Sequence, residues 1–472
     1  MERNTIKIQY VLVVVAFALA AFFSSYKLFA SPETWMDEGL IVQSAQGLLE
    51  TGKASLPVAP GVYEPAWYIT TGFPLTLPLA GSFVFFGVSL ESARLVMLAF
   101  LLLFFVSLFF FARNSIGGAA SLFGFFLLVF FGPLYGNGRN VLGEVPGLLF
   151  MLVALLPLLR GGALSRNRAL IVGAGAGLAV AAKPIFMLFI PALLLALLLR
   201  RRELRLEKVF VYGVLGAALP LFVWAVSQFG VVDIEHIFKV YANPHDLDII
   251  SSVRDNLKRV FIEAQPFYFF IALALWMSSY VVRKLKNETV SLAEEALLFF
   301  STLIFFVYLR TAGYYRYFFP GQVFALLYLP QTLWYLAGKR SVLFPRAVAV
   351  LLCLLVLFQA YETVARSWTA VHYDSTRTET LKRYFTALPA EEEIFVYQAP
   401  EVVPFAVGHP VYQYVEITPS IRAGEEYKTL VLEGAVKTVI TPENFFTAQS
   451  GTIFARYKIV ERVDAYVVAT SI

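Results

Sequence analysis

LVMLAFLLLFFVSLFFF, residues Leu95–Phe111, is the stretch on which the fold turns. It holds no charged residue, and Arg94 and Arg113 bracket it. A helix of this length crosses, or nearly crosses, a hydrocarbon layer about 30 Å thick if it tilts little. Similar runs lie on both sides of it: Ile8–Ala30, Ala119–Tyr135, Val145–Leu159, Leu170–Ala182, Ile185–Leu199 and Val209–Phe229. Four more follow at Phe267–Val282, Ala296–Leu309, Phe318–Leu336 and Val342–Tyr361, which predicts about eleven spans. Ile8–Ala30 is too long for a secretory h-region of about 7–15 residues, so it reads as a span rather than a cleaved leader.

Composition agrees. The 472 residues are 58% hydrophobic and only 15% charged, against about 25% charged in soluble domains. A soluble body of this size could not bury so many apolar side chains. The formal charge of +5 falls in short Lys/Arg clusters between apolar runs, where topology places it, so no nucleic-acid partner is implied. The single cysteine, Cys353, lies within an apolar run and can form no internal disulfide.

Sorting the basic residues gives an orientation. With the N-terminus cytoplasmic, the Arg113, Arg160–Arg168, Arg200–Lys208, Arg283–Lys286 and Lys339–Arg340 clusters all fall inside. The opposite face receives residues 31–94, Gly136–Glu144, the Lys183–Pro184 turn, Gly230–Gln265, Arg310–Arg316 and the tail after Tyr361. Phe73–Leu90 is apolar but carries Pro74 and Pro78, and counting it as a span would invert every later cluster; it reads as interfacial or re-entrant.

Beyond Arg366 the pattern changes. Glu393–Gln398, Val402–Val407, Thr429–Thr441 and Tyr457–Ala469 read as strands and Thr378–Leu388 as a helix. The expected architecture is an α-helical polytopic membrane body, 1–365, with a small α/β domain, 366–472, on the noncytoplasmic side.

Charges on the outer side need an explanation that topology does not supply. Asp37 and Glu38 follow the first span. They suit general-base work, a divalent cation, or capping of a helix over Gly39–Leu49. Glu144 precedes Pro146 and is a second acid or a helix-start residue. Asp37 and Glu144 are the candidate ligands for a divalent cation such as Mg, Mn or Zn. Arg94, Arg139, Lys183 and Arg316, the last beside Tyr315, gather positive charge where the positive-inside rule disfavours it, as a bound phosphate would require. Each is otherwise an interfacial anchor. His236 and His245 show no metal spacing and read as part of a solvated loop.

In this order the elements resemble the GT-C glycosyltransferases that use lipid-linked sugars, among them the protein O-mannosyltransferases and the lipid A aminoarabinose transferases. The residues that carry the resemblance are Asp37–Glu38, Thr71–Pro74, Gly87–Arg94, Arg139–Pro146, Lys183–Pro184 and Arg316–Pro320. Relatives carry Lys-Pro-Pro where this chain has Gly72–Phe73–Pro74, so one expected cation is absent. The resemblance implies transfer of a hexosyl or pentosyl group from polyprenyl phosphate or diphosphate to a hydroxyl of a lipid, glycan or protein. It further implies inversion, Asp37 as base, and residence in a bacterial or archaeal plasma membrane. The competing class is a transporter or lipid flippase, whose ionisable groups belong near mid-membrane on broken helices. The outer-side charges here cluster at the ends of the apolar runs.

Overall fold

The computed structural model describes residues 2–159, 164–200, 206–229, 235, 243, 247–338, 343–418 and 421–472. Arg160, residues 201–205, Asp233, His236, His245, Asp246, Lys339 and Arg340 lie outside them. The apolar runs read from the sequence are helical over most of their described length, with Ala119–Tyr135 broken into two helices and Ile8–Ala30 leaving its helix at Ser25. Among the described residues, six single helices are long and apolar enough to cross a membrane: Ile8–Ser25, Leu90–Ser115, Phe210–Phe229, Ala264–Leu285, Leu292–Leu309 and Leu343–Val371. A seventh candidate is the pair Gly118–Val129 and Gly132–Arg139, bent by 57°. The bend falls at Phe130–Phe131, and Pro133 opens the second half in the first turn, where its missing N–H is harmless.

The sequence reading of this region needs two local corrections, at Gly230–Gln265 and at Gly39–Leu49, while Phe73–Leu90 holds a short helix as expected. Gly230–Gln265 is not all loop: Asp248 caps a helix over Ile249–Ile262, accepting from Ser251 N at 2.9 Å. The expected helix over Gly39–Leu49 is Met36–Thr51, so it starts before the acid pair. Phe73–Phe86 is a helix of 14 residues, short of a full span, closed by Gly87 at φ 78.

The C-terminal region forms a six-stranded sheet in the order β5-β4-β3-β6-β8-β7, numbered after a small hairpin of β1 (Ser55–Ala59) and β2 (Val62–Pro65). Its strands are β3 (Ile394–Tyr397), β4 (Val411–Thr418), β5 (Ile421–Ala423), β6 (Thr438–Pro442), β7 (Tyr457–Val463) and β8 (Tyr466–Ser471). Val402–Val407 is not a strand; Pro404 sits in a short 3-10 turn, where it costs no ladder hydrogen bond. Thr429–Thr441 splits into the Lys428–Leu432 helix and β6. Tyr457–Ala469 is two strands, reversed at Asp464 with φ 56.

This sheet is locked onto the Met36–Thr51 helix. Gln43 donates to Pro400 O at 2.7 Å and accepts from Gln413 at 2.5 Å. Gly39 faces the backbone of Glu401 so closely that a Cβ there would lie 2.4 Å from Glu401 Cα. Gly39→Ala is therefore expected to destabilise the docked domain by roughly 1–3 kcal/mol, the usual range for overpacking. Thermal unfolding and limited proteolysis of the purified protein would read this as a lower midpoint and faster cleavage after Tyr361.

Candidate active site

The acid pair that follows the first helix is split by the fold. Trp35 is the N-cap of the Met36–Thr51 helix and makes no side-chain cap bond, so neither acid caps it. Glu38 turns inward and is fully buried. It meets Arg94, which is equally buried on the first turns of Leu90–Ser115. Arg94 Nε donates to Glu38 Oε1 at 2.9 Å and Nη2 to Oε2 at 2.8 Å, a bidentate pair. The other donors go to Leu28 O at 2.9 Å, Phe29 O at 3.4 Å and Asn140 Oδ1 at 3.3 Å. All five guanidinium hydrogens are thus committed. Glu38 Oε1 also accepts from Val141 N at 3.2 Å.

This corrects two expected roles. Arg94 has no donor left for a phosphate, and Glu38 has no access to a substrate. Arg139 is corrected on its position rather than on its donors, since its buried Nε has no hydrogen-bond partner. It is fully buried, donates to Phe23 O at 3.3 Å and Tyr26 O at 2.6 Å, and stacks near the Tyr373 ring at 5.8 Å. It does not line the cavity described next.

Asp37 faces the other way, into a cavity of about 1980 Å³. Glu144, Lys183, Tyr315, Arg316 and Asn140 line the same cavity. Arg316 Nη1 donates to Asp37 Oδ2. The guanidinium also lies over the rings of Trp35, Tyr314 and Tyr317 at 5.4, 5.6 and 5.5 Å. Burial pulls the Arg316 pKa down, but the Asp37 and Glu144 carboxylates outweigh it and hold it above its ordinary value. Arg316 is charged at any working pH.

Glu144 is the first residue of the Glu144–Leu155 helix, which favours negative charge at that end. Its Oε1 lies 3.7 Å from Lys183 Nζ, and its buried Oε2 has no hydrogen-bond partner. Two glycines set this spacing. A Cβ on Gly72 would lie 2.5 Å from Ala181 O, and one on Gly143 would lie 2.3 Å from Ala182 O. The Thr71–Gly72 and Gly143–Glu144 backbones can therefore rest against the turn that delivers Lys183. Tyr315 lines the cavity, but its hydroxyl donates to Glu263 rather than standing free for a ligand.

Among the described residues no three His, Cys, Asp or Glu side chains meet in a metal-binding group. Asp37 and Glu144 each face a protein cation, so their charge is balanced without a metal, and the pair does not make up a cage. Sequence reasoning missed Gln265, Tyr268, Gln322 and Gln359, which also line the cavity. For Gln322 and Gln359 the available signal was a neutral amide interrupting an apolar run.

Comparisons with known proteins bear on the fold that carries this cavity. Residues 76–226 match the family profile of dolichyl-phosphate-mannose-protein mannosyltransferase. No curated protein matches the chain in sequence. Among solved structures, ArnT from Cupriavidus metallidurans bound to undecaprenyl phosphate superposes with a TM-score of 0.63 at 14% identity, covering 98% of each chain. The same protein in the apo state gives 0.65 at 14% identity, covering 99% of this chain and 98% of that one. The Archaeoglobus fulgidus oligosaccharyltransferase, solved with zinc and sulfate, gives 0.54 at 14% identity over 94% of this chain and 71% of its own. The chain thus shares the fold of these solved structures, helical body and C-terminal sheet domain together.

Proposed function

We propose that the protein is a membrane glycosyltransferase that moves a sugar from a polyprenyl-phosphate or diphosphate donor to an acceptor hydroxyl on the noncytoplasmic side. The observation that carries this reading is one cavity lined by a partly exposed carboxylate, Asp37, and by two cations, Arg316 and Lys183. Such a pairing of base and phosphate-holding charge at helix ends suits group transfer better than transport, which calls for ionisable groups at mid-membrane. The likeness to an ArnT solved with undecaprenyl phosphate supports a lipid-phosphate donor. In this reading the eleven apolar helices all span, residues 1–365 form the catalytic module with an outer loop over 31–94, and residues 366–472 form the extracytoplasmic domain.

The chemistry follows from charge. The acceptor oxygen bonds to the anomeric carbon as the bond from that carbon to the phosphate oxygen breaks. The acceptor proton passes to Asp37, because a hydroxyl is far too weak an acid to ionise alone. The polyprenyl phosphate leaves as an anion and needs no proton. Its growing charge is balanced by Arg316 and Lys183. When the donor phosphate takes the Arg316 fork, Asp37 is released from that pair toward the acceptor. Attack from the face opposite the leaving group inverts the anomeric centre. Retention would instead need a carboxylate nucleophile, and Glu144, held near Lys183, remains on the phosphate side in this scheme. Glu38, Arg94 and Arg139 position the site without touching substrate.

Asp37→Asn is expected to lower turnover by roughly 10²–10⁴-fold with donor binding retained. Glu38→Gln is expected to act on stability instead, since breaking a buried pair costs roughly 3–5 kcal/mol. Sugar transfer and thermal unfolding of both variants in nanodiscs separate the two roles; a fully active Asp37→Asn protein removes Asp37 as base. Arg316→Lys should retain more affinity for the lipid-phosphate donor than Arg316→Ala, because charge survives although the fork is lost. Equal loss in the two, with normal folding, would assign Arg316 to packing.

A further inference from the structure

Three helices of the apolar body each bring a neutral polar side chain to the same cavity. Gln265 is the second residue of Ala264–Leu285, Gln322 the fourth of Phe319–Ala337, and Gln359 lies near the end of Leu343–Ala365. With Tyr268 they form two linked pairs. Gln322 Nε2 donates to Gln265 Oε1 at 3.3 Å, and Gln359 Nε2 donates to the Tyr268 hydroxyl at 3.3 Å. Gln322 is 1% and Gln359 5% exposed, and both line the cavity. Gln359 Oε1 is buried without a hydrogen-bond partner.

Amides buried among apolar helices are costly unless their capacity is used. One long bond per pair leaves most of it unused, since each amide offers two N–H donors and a carbonyl with two lone pairs. The four groups carry no charge. The carboxylates closest to them in sequence are already engaged: Glu263 by Arg259 and Tyr315, and Glu362 by Arg366 at 3.6 Å. The stacked rings of Phe131 and Phe319 complete this wall. Gln322 also follows Arg316 by less than two helical turns of chain, so the wall adjoins the cation assigned to the phosphate.

We propose that Gln265, Tyr268, Gln322 and Gln359 form the subsite for the transferred sugar, and that it takes an uncharged, hydroxyl-rich pyranose rather than a sugar bearing an amine. This rests on the reading of the cavity as a donor site. Hydroxyls both donate and accept, as amides do. An ammonium only donates and requires a carboxylate, and Glu362, which lines the cavity one helical turn from Gln359, is already paired with Arg366.

The test measures binding of three probes to the full-length protein in nanodiscs: undecaprenyl phosphate, the same lipid carrying glucose or mannose, and the same lipid carrying an amino-pentose. The wild type is expected to prefer the hexose lipid over the bare phosphate by about tenfold, the scale of one or two hydrogen bonds, and to show no such gain for the amino-pentose lipid. Gln359→Leu should abolish that preference and leave bare undecaprenyl phosphate unchanged. Gln359→Glu should shift preference toward the amino-pentose lipid. A hexose preference that survives Gln359→Leu and Gln322→Leu, or a wild-type preference for the amino-pentose lipid, would overturn the subsite. An equal loss for all three lipids would assign Gln359 to packing and also overturn it. A wild type that binds none of the three would instead reject the donor-site reading on which the subsite stands.

Discussion

The cavity of this protein is organised around one buried ion pair, Arg94 with Glu38. A guanidinium and a carboxylate withdrawn from water are costly separately and stable together only when their remaining hydrogen bonds are met. Here they are met by Leu28 O, Phe29 O, Asn140 and Val141 N. The pair therefore ties four segments: the turn after the first helix, the start of the Leu90–Ser115 helix, the helix that bears Asp37, and the turn that leads to Glu144. Because Glu38 cannot move, its neighbour Asp37 is aimed into the cavity. Adjacent carboxylates at the head of one helix thus have different surroundings, one inside the protein and one facing the cavity.

The same helix is held from the far side by the C-terminal sheet. Gln43 and Gln413 share a buried bond, and Gly39 lets the Glu401 backbone come into contact. Ile417 and Ile421, from the β4 and β5 pair, reach the cavity wall. The sheet is therefore part of the site's architecture. The catalytic chemistry proposed for Asp37 depends on a domain more than 350 residues later in the chain.

The apolar helices were readable because hydropathy is a local signal, and each run carries enough of it to stand alone. Asp37, Lys183, Glu144 and Arg316, which line one cavity, stood out in the sequence as charges at the ends of apolar runs. Arg94, Arg139 and Glu38 carried the same signal and were misassigned. A charge at a membrane mouth looks alike whether it meets a ligand or a partner 56 residues away, and only the fold tells Arg94 from Arg316. Gln265, Gln322 and Gln359 escaped notice for the opposite reason: an amide barely disturbs hydropathy. In the exposed domain, Val402–Val407 has strand composition but Pro404 turns it, and β4 was missed because Gln413 and Glu416 interrupt its pattern.

The account stands or falls on a single displacement at the sugar, with Asp37 as base and no covalent intermediate on Glu144. The most direct measurement is the NMR anomeric configuration of the product made by purified protein from a polyprenyl-phosphate sugar of known anomeric configuration. Inversion is the result predicted. A retained configuration would contradict it, because retention requires a nucleophilic carboxylate and two displacements.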